Sequence, residues 1–210
     1  MKKFWKALAL VGCALLLVVA SVAGTYAILT SKTATVSNTF TAGNVSISLK
    51  ETKVDEYGKP VSPAATIVAG LDGITDGNKY KLIPNHTYKK DPTIVVAEGS
   101  EDCYLFVKVE NGISEIEAAG DTTIAKQLEA NGWVALDGVT NVYYKAAKAA
   151  AGDEVAIFTS FTIKQDAVVS SYTSANINIT AYAAQADGFD ISTNTFAVNA
   201  KNAWSAANFS

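Results

Sequence analysis

Residues 33–49 read TATVSNTFTAGNVSISL, and this stretch decides the fold. From Thr33 to Ala42 the residues alternate. Ala34, Val36, Phe40 and Ala42 occupy even positions, with Asn38 the single polar exception, while Thr33, Thr35, Ser37, Thr39 and Thr41 are all hydroxylated. A period of two is the signature of a β-strand with one apolar face. After Gly43 the phase reverses: Val45, Ile47 and Leu49 are apolar, and Asn44, Ser46 and Ser48 are polar. A one-residue slip turns every side chain to the opposite face. The pattern therefore predicts two strands separated at Gly43-Asn44, where glycine permits a bend or bulge.

Downstream, residues 55–92 are rich in turn signals, among them Asp55 to Pro60, Asp72-Gly73, Asp76-Gly77-Asn78 and Pro84-Asn85. Strands are expected at Thr93–Ala97 and Cys103–Glu110. In the second, Cys103, Leu105, Val107 and Val109 share a face, which predicts a core thiol behaving as a small hydrophobe. Asp121 to Gly132 reads as a helix, with Asp121 as its cap, Ile124 and Leu128 on one face and Asn131-Gly132 at its end. Further strands are expected at Asn141–Lys145, Glu154–Lys164 and Ala175–Ala184. Phe196, Ala200 and Trp204 recur at helical spacing and predict a short terminal helix. Several strands joined by polar loops, without an internal repeat, point to a mainly β protein built as one β-sandwich with one or two short helices.

Upstream lies a different kind of segment. Met1-Lys2-Lys3 and Lys6 precede an apolar run from Ala7 to about Ala20, closed by Ala23-Gly24-Thr25. Charged, apolar and small-residue regions in that order make a signal peptide over residues 1–27. Thr25 and Ala27 fit the positions flanking a cleavage site, so cutting after Ala27 is expected, with Ile28 the next choice. The apolar run is shorter than the about 20 residues a membrane span needs. Retained uncleaved, it would be an N-terminal anchor and the protein's one route to a membrane. Residues 28–43 then form the mature N-terminal segment, and 44–210 a single sandwich domain.

Composition excludes several classes of function. The chain has no Arg. With Lys2, Lys3 and Lys6 removed, 14 Lys face 20 acidic residues in the processed protein, a net charge of −6. An acidic chain without Arg is poorly suited to nucleic acid or to anionic lipid. Cys103 is the only cysteine beyond the leader, so no intramolecular disulfide is expected. His86 is the only histidine. One histidine makes neither a two-histidine zinc site nor a locally supported serine triad. No Gly-x-Ser-x-Gly, phosphate-loop or dinucleotide motif occurs. No cofactor, metal or catalytic residue is expected.

Several short motifs carry a resemblance. Gly24-Thr25-Tyr26-Ala27, followed by Ser37-Asn38-Thr39-Phe40-Thr41-Ala42-Gly43-Asn44-Val45, resembles the start of the TasA/camelysin family of exported fibre proteins of Gram-positive biofilms. Ile83-Pro84-Asn85, Lys90-Asp91-Pro92, Gly99 to Tyr104 and Gln185 to Phe189 resemble the interior of proteins released by a SipW-type signal peptidase. The segment from Ile191 to Asn199 departs from that pattern by its length. The resemblance implies a jelly-roll sandwich, a secreted or cell-surface location, and a filament of this chain or of related subunits. It further implies donor-strand exchange, in which the N-terminal segment of one subunit completes the sheet of the next. Ala34, Val36, Phe40 and Ala42 are then the assembly residues, since strand addition seats alternate side chains in pockets. Pairing of Thr33–Ala42 within its own subunit is the simpler alternative. Some camelysin relatives are metal-dependent proteases, which gives a rival reading, and a monomeric surface-binding module is a third.

Overall fold

A computed structural model describes residues 44–69 and 77–209. Ten strands lie among them: β1 (Ile47–Thr52), β2 (Thr66–Ala69), β3 (Thr87–Lys89), β4 (Thr93–Val96), β5 (Cys103–Asn111), β6 (Trp133–Ala135), β7 (Val142–Lys145), β8 (Glu154–Ala156), β9 (Ser160–Thr162) and β10 (Ile177–Gln185). Two α-helices accompany them, α1 (Ile124–Ala130) and α2 (Phe196–Ala207). The strands form two four-stranded antiparallel sheets, ordered β2-β1-β4-β8 and β10-β5-β7-β6, and a two-stranded ribbon, β3-β9. The protein is mainly β, as the alternation predicts.

Strand β5 organises the packing, because both of its faces are covered. Cys103, Leu105 and Val107 point between the two sheets and are fully buried against Ile94 and Val96 of β4. Tyr104 and Phe106 point the other way, under α2, whose Ala200 and Ala203 are also fully buried. A strand buried on both faces reads as a near-continuous apolar run, here Cys-Tyr-Leu-Phe-Val. Only at Lys108 and Glu110, which pair at 3.3 Å, does the second face turn polar. The result is sheet on sheet on helix. The terminal helix predicted from Phe196, Ala200 and Trp204 is present, and the hydroxyl of Thr195 caps it by accepting from the Val198 amide at 3.4 Å.

Three expectations need correction. Helix α1 is capped by Thr123, which accepts from the Lys126 amide, and not by Asp121. Its first amide, on Ile124, donates to the Glu117 carboxylate at 3.0 Å. Asp121 sits two residues too early to do either. The single strand expected over Glu154–Lys164 is broken into β8 and β9, which belong to different sheets. Ile157 and Phe158 between them are both fully buried, and the Ile157 amide donates to the Pro92 carbonyl at 2.9 Å, so the chain crosses between sheets there. Finally, the stretch 55–92, where turn signals predict loop, also contains β2 and β3.

Candidate functional site

The two long sides of the sandwich differ. Along β6 and β8 the gap between sheets is closed. The Trp133 indole donates to the Ala156 carbonyl at 3.0 Å, and Asn131 at the end of α1 donates to the Ile157 carbonyl at 3.0 Å. Gln127 of α1 donates to Ser160 O at 2.8 Å and accepts from the Thr159 amide at 3.0 Å. Each bond ties the second sheet or α1 to the β8–β9 crossing.

Along β2 and β10 the described residues leave the sandwich open. Strand β10 ends its sheet, and among the described residues no strand pairs with its outer edge. Its nine residues pair in full with β5, from Ile177 opposite Asn111 to Gln185 opposite Cys103. The flanking bonds from Gly112 N to Asn176 O (2.9 Å) and from Ala186 N to Asp102 O (2.8 Å) fix the phase of that ladder. In an antiparallel pair, opposed residues alternate between bonded and non-bonded. The even residues of β10 therefore spend their backbone groups on β5. Ile177, Ile179, Ala181 and Ala183 turn theirs outward. The side chains of these same four residues face the inter-sheet core, yet each is only half-buried. Backbone groups and apolar side chains are thus exposed together along one edge.

Two cavities lie against the start of this edge, at Ile177 to Ile179. One, of about 720 Å³, is lined by Tyr80, Leu82, Phe161, Val169, Tyr172 and Ile177 among others. The other, of about 200 Å³, is lined by Leu49, Ile67, Ala69 and Ile179. Lys90, Ile177 and Asn178 line both and mark their junction.

The junction is polar and largely buried. Lys90 Nζ lies 2.7 Å from Glu51 Oε2, with side chains only 8% and 12% exposed. Asn78 donates to Glu51 and to the Thr52 carbonyl, and the Tyr80 hydroxyl donates to the Lys89 carbonyl at 3.0 Å. Burial, followed by the Glu51 charge, pushes the Tyr80 phenol far above its ordinary pKa, so it stays a neutral donor. Burial also acts to raise the pKa of Asp91 nearby. The Thr52 hydroxyl and amide, at 2.7 and 2.8 Å, and the Lys89 ammonium outweigh it, and the carboxylate titrates below its usual range. Among the described residues, Lys90 Nζ has no hydrogen-bond partner other than Glu51.

The junction escapes a reading of motifs, but a signal for it exists. Glu51 continues the phase of Val45, Ile47 and Leu49, so a charge falls on a face that is otherwise apolar.

The residues singled out from the sequence are placed unevenly. Ala27 and Ile28 at the expected cleavage point, and Ala34, Val36, Phe40 and Ala42 of the expected assembly strand, lie outside the described residues. His86 is half-buried, with Nε2 2.9 Å from the Tyr57 carbonyl and its ring edge-on to Tyr88 at 4.5 Å. Among the described residues no group of three or more His, Cys, Asp or Glu side chains could hold a metal ion, and no helix is long and apolar enough to cross a membrane. Cys103 is fully buried in the core, as predicted. Burial, aided by the Asp102 and Asp153 carboxylates, pushes its thiol up to about 11, so it is no ready nucleophile at neutral pH.

The chain matches no family model, no curated protein and no solved structure.

Proposed function

We propose that this protein is an exported subunit of an extracellular fibre, and that residues 33–42 of one copy add as a strand to β10 of the next. The resemblance to TasA/camelysin proteins supports this reading. So does the match between an alternating ten-residue segment and a nine-residue edge whose odd residues offer backbone groups and apolar side chains together. Strand addition at such an edge gives main-chain hydrogen bonds for affinity and pockets for alternate side chains. Repeated head-to-tail, without closure, it produces a filament. Release by a SipW-type peptidase after Ala27 would free the segment, and the sandwich would carry jelly-roll connectivity as in that family. The partner is another copy or a related fibre subunit.

The observation that carries the proposal is the outward turn of the Ile177, Ile179, Ala181 and Ala183 backbone. Ala181→Pro tests it. The Ala181 amide points away from β5, so proline removes no bond of the existing ladder, and edge strands tolerate it on the solvent side. The variant is expected to stay folded while its critical concentration for assembly rises about tenfold, the scale of one hydrogen bond together with the steric block. Assembly at the parent's concentration would refute an added strand at this edge.

A further inference from the structure

The proposed donor face has one feature that a purely apolar groove does not explain. Ala34, Val36, Phe40 and Ala42 are interrupted at the centre by Asn38. The groove has a matching interruption. Lys90, paired with Glu51, sits where its two cavities meet, as a charged group with a side chain more than nine-tenths buried. On either side apolar residues share the walls with polar ones: Leu49, Ile67 and Ile179 lie beside Lys50 in the smaller cavity, and Phe161, Val169 and Tyr172 beside Asn78 and Ser170 in the larger.

An ammonium has three donors. Among the described residues Lys90 spends its donors on Glu51 alone, although its side chain is more than nine-tenths buried. A strand laid over the groove would remove the remaining water. Donors left without an acceptor there would be costly. Asn38 carries an amide oxygen that can accept without bringing a second charge beside Glu51.

Resting on the donor-strand reading, we propose that Asn38 of the incoming segment accepts a hydrogen bond from Lys90 of the receiving subunit, and that this pairing fixes the register of the added strand. Side chains on one strand face repeat at about 6.8 Å, twice the rise per residue. With Asn38 at the junction, two apolar residues fall on each side of it. The strand runs antiparallel to β10, so that Ala34 and Val36 enter the smaller cavity and Phe40 and Ala42 the larger one. A slip of two residues keeps the same face but sets Val36 or Phe40 against the ammonium. A single buried amide is known to select register in this way, at some cost in stability.

The test measures the critical concentration for assembly of the processed full-length chain and its variants. Val36→Asp serves as the control for the underlying reading. Asn38→Leu is expected to raise the critical concentration about tenfold, the scale of one lost bond to a charged donor. Asn38→Gln, which keeps the amide, is expected to stay within about threefold of the parent. In a Glu51→Gln/Lys90→Met background, where the groove is neutral, Asn38→Leu should cost less than about twofold. If that background does not fold, the contrast between Leu and Gln at position 38 decides.

Assembly of Asn38→Leu at the parent's concentration, while Val36→Asp still blocks it, would overturn the register proposal alone. An equal loss in both Leu and Gln variants, or an undiminished effect of Asn38→Leu in the neutral groove, would also overturn it. A parent that does not assemble, or a Val36→Asp variant that assembles normally, would overturn the donor-strand reading and this inference with it.

Discussion

Val36→Asp or Phe40→Asp is expected to abolish fibre formation while leaving the melting temperature of the monomer within a degree or two of the parent. In the proposed assembly each side chain packs against the apolar part of a cavity in the neighbouring subunit. Burial of each contributes roughly 1.5–3 kcal/mol, part of which is offset by ordering the segment. A carboxylate in the same place loses that gain and adds the cost of an unpaired buried charge. The monomer is spared because its own core is made of other residues, chiefly Leu105, Val107, Ile94 and Val96. If residues 33–42 instead pair within their own subunit, the substitution should lower the monomer's melting temperature. Electron microscopy beside thermal unfolding reads both quantities on one preparation.

Phe106→Ala is expected to be the most damaging of the changes on the helix-covered face. Phe106 is fully buried, with its ring centroid 5.2 Å from that of Trp204 and 6.1 Å from that of Phe209. Truncating such a side chain removes its transfer energy and leaves a cavity, at a cost of about 3–5 kcal/mol. For a domain of this size the corresponding fall in melting temperature is roughly 6–20 °C. Leu105→Ala, on the opposite face of the same strand, should cost about 2–5 kcal/mol. Urea unfolding of the two variants checks whether α2 is an integral third layer. A loss below about 1 kcal/mol at Phe106 would mean that the helix adds little, since a surface change costs no more than that.

Both layers of this architecture were readable from periodicity where strands were long enough to display it. Val45, Ile47 and Leu49 gave β1, and the odd residues Cys103 to Val109 gave β5. The set Ile177, Ile179, Ala181 and Ala183 gave β10, down to the face it presents. Strands of three or four residues show too few repeats for a period, so β4 and β7 stand out only by their β-branched and aromatic residues, while β2, β3 and β6 merge with the loops around them. The break at Ile157-Phe158 was hidden for another reason. Two consecutive buried residues fit either a continuous strand or a crossing between layers, and only the tertiary bonds to Pro92 and Gln127 distinguish them. The groove was half legible. Its apolar lining follows from the inward phases of β1 and β10, whereas the Lys90–Glu51 junction depends on a contact 39 residues apart that no local pattern encodes.

The most direct measurement is residue-resolved amide hydrogen exchange across β10, compared between monomer and fibre. In the monomer, the amides of Asn178, Thr180, Tyr182 and Ala184 bond to β5 and should be protected, while those of Ile177, Ile179, Ala181 and Ala183 should exchange freely. With Asn38 opposite Ile177, assembly should protect Ile177, Ile179 and Ala181 and leave the first set as it was. Amides of these three residues that are already protected in the monomer, or that still exchange freely in the fibre, would contradict an added strand from a neighbouring copy at this edge.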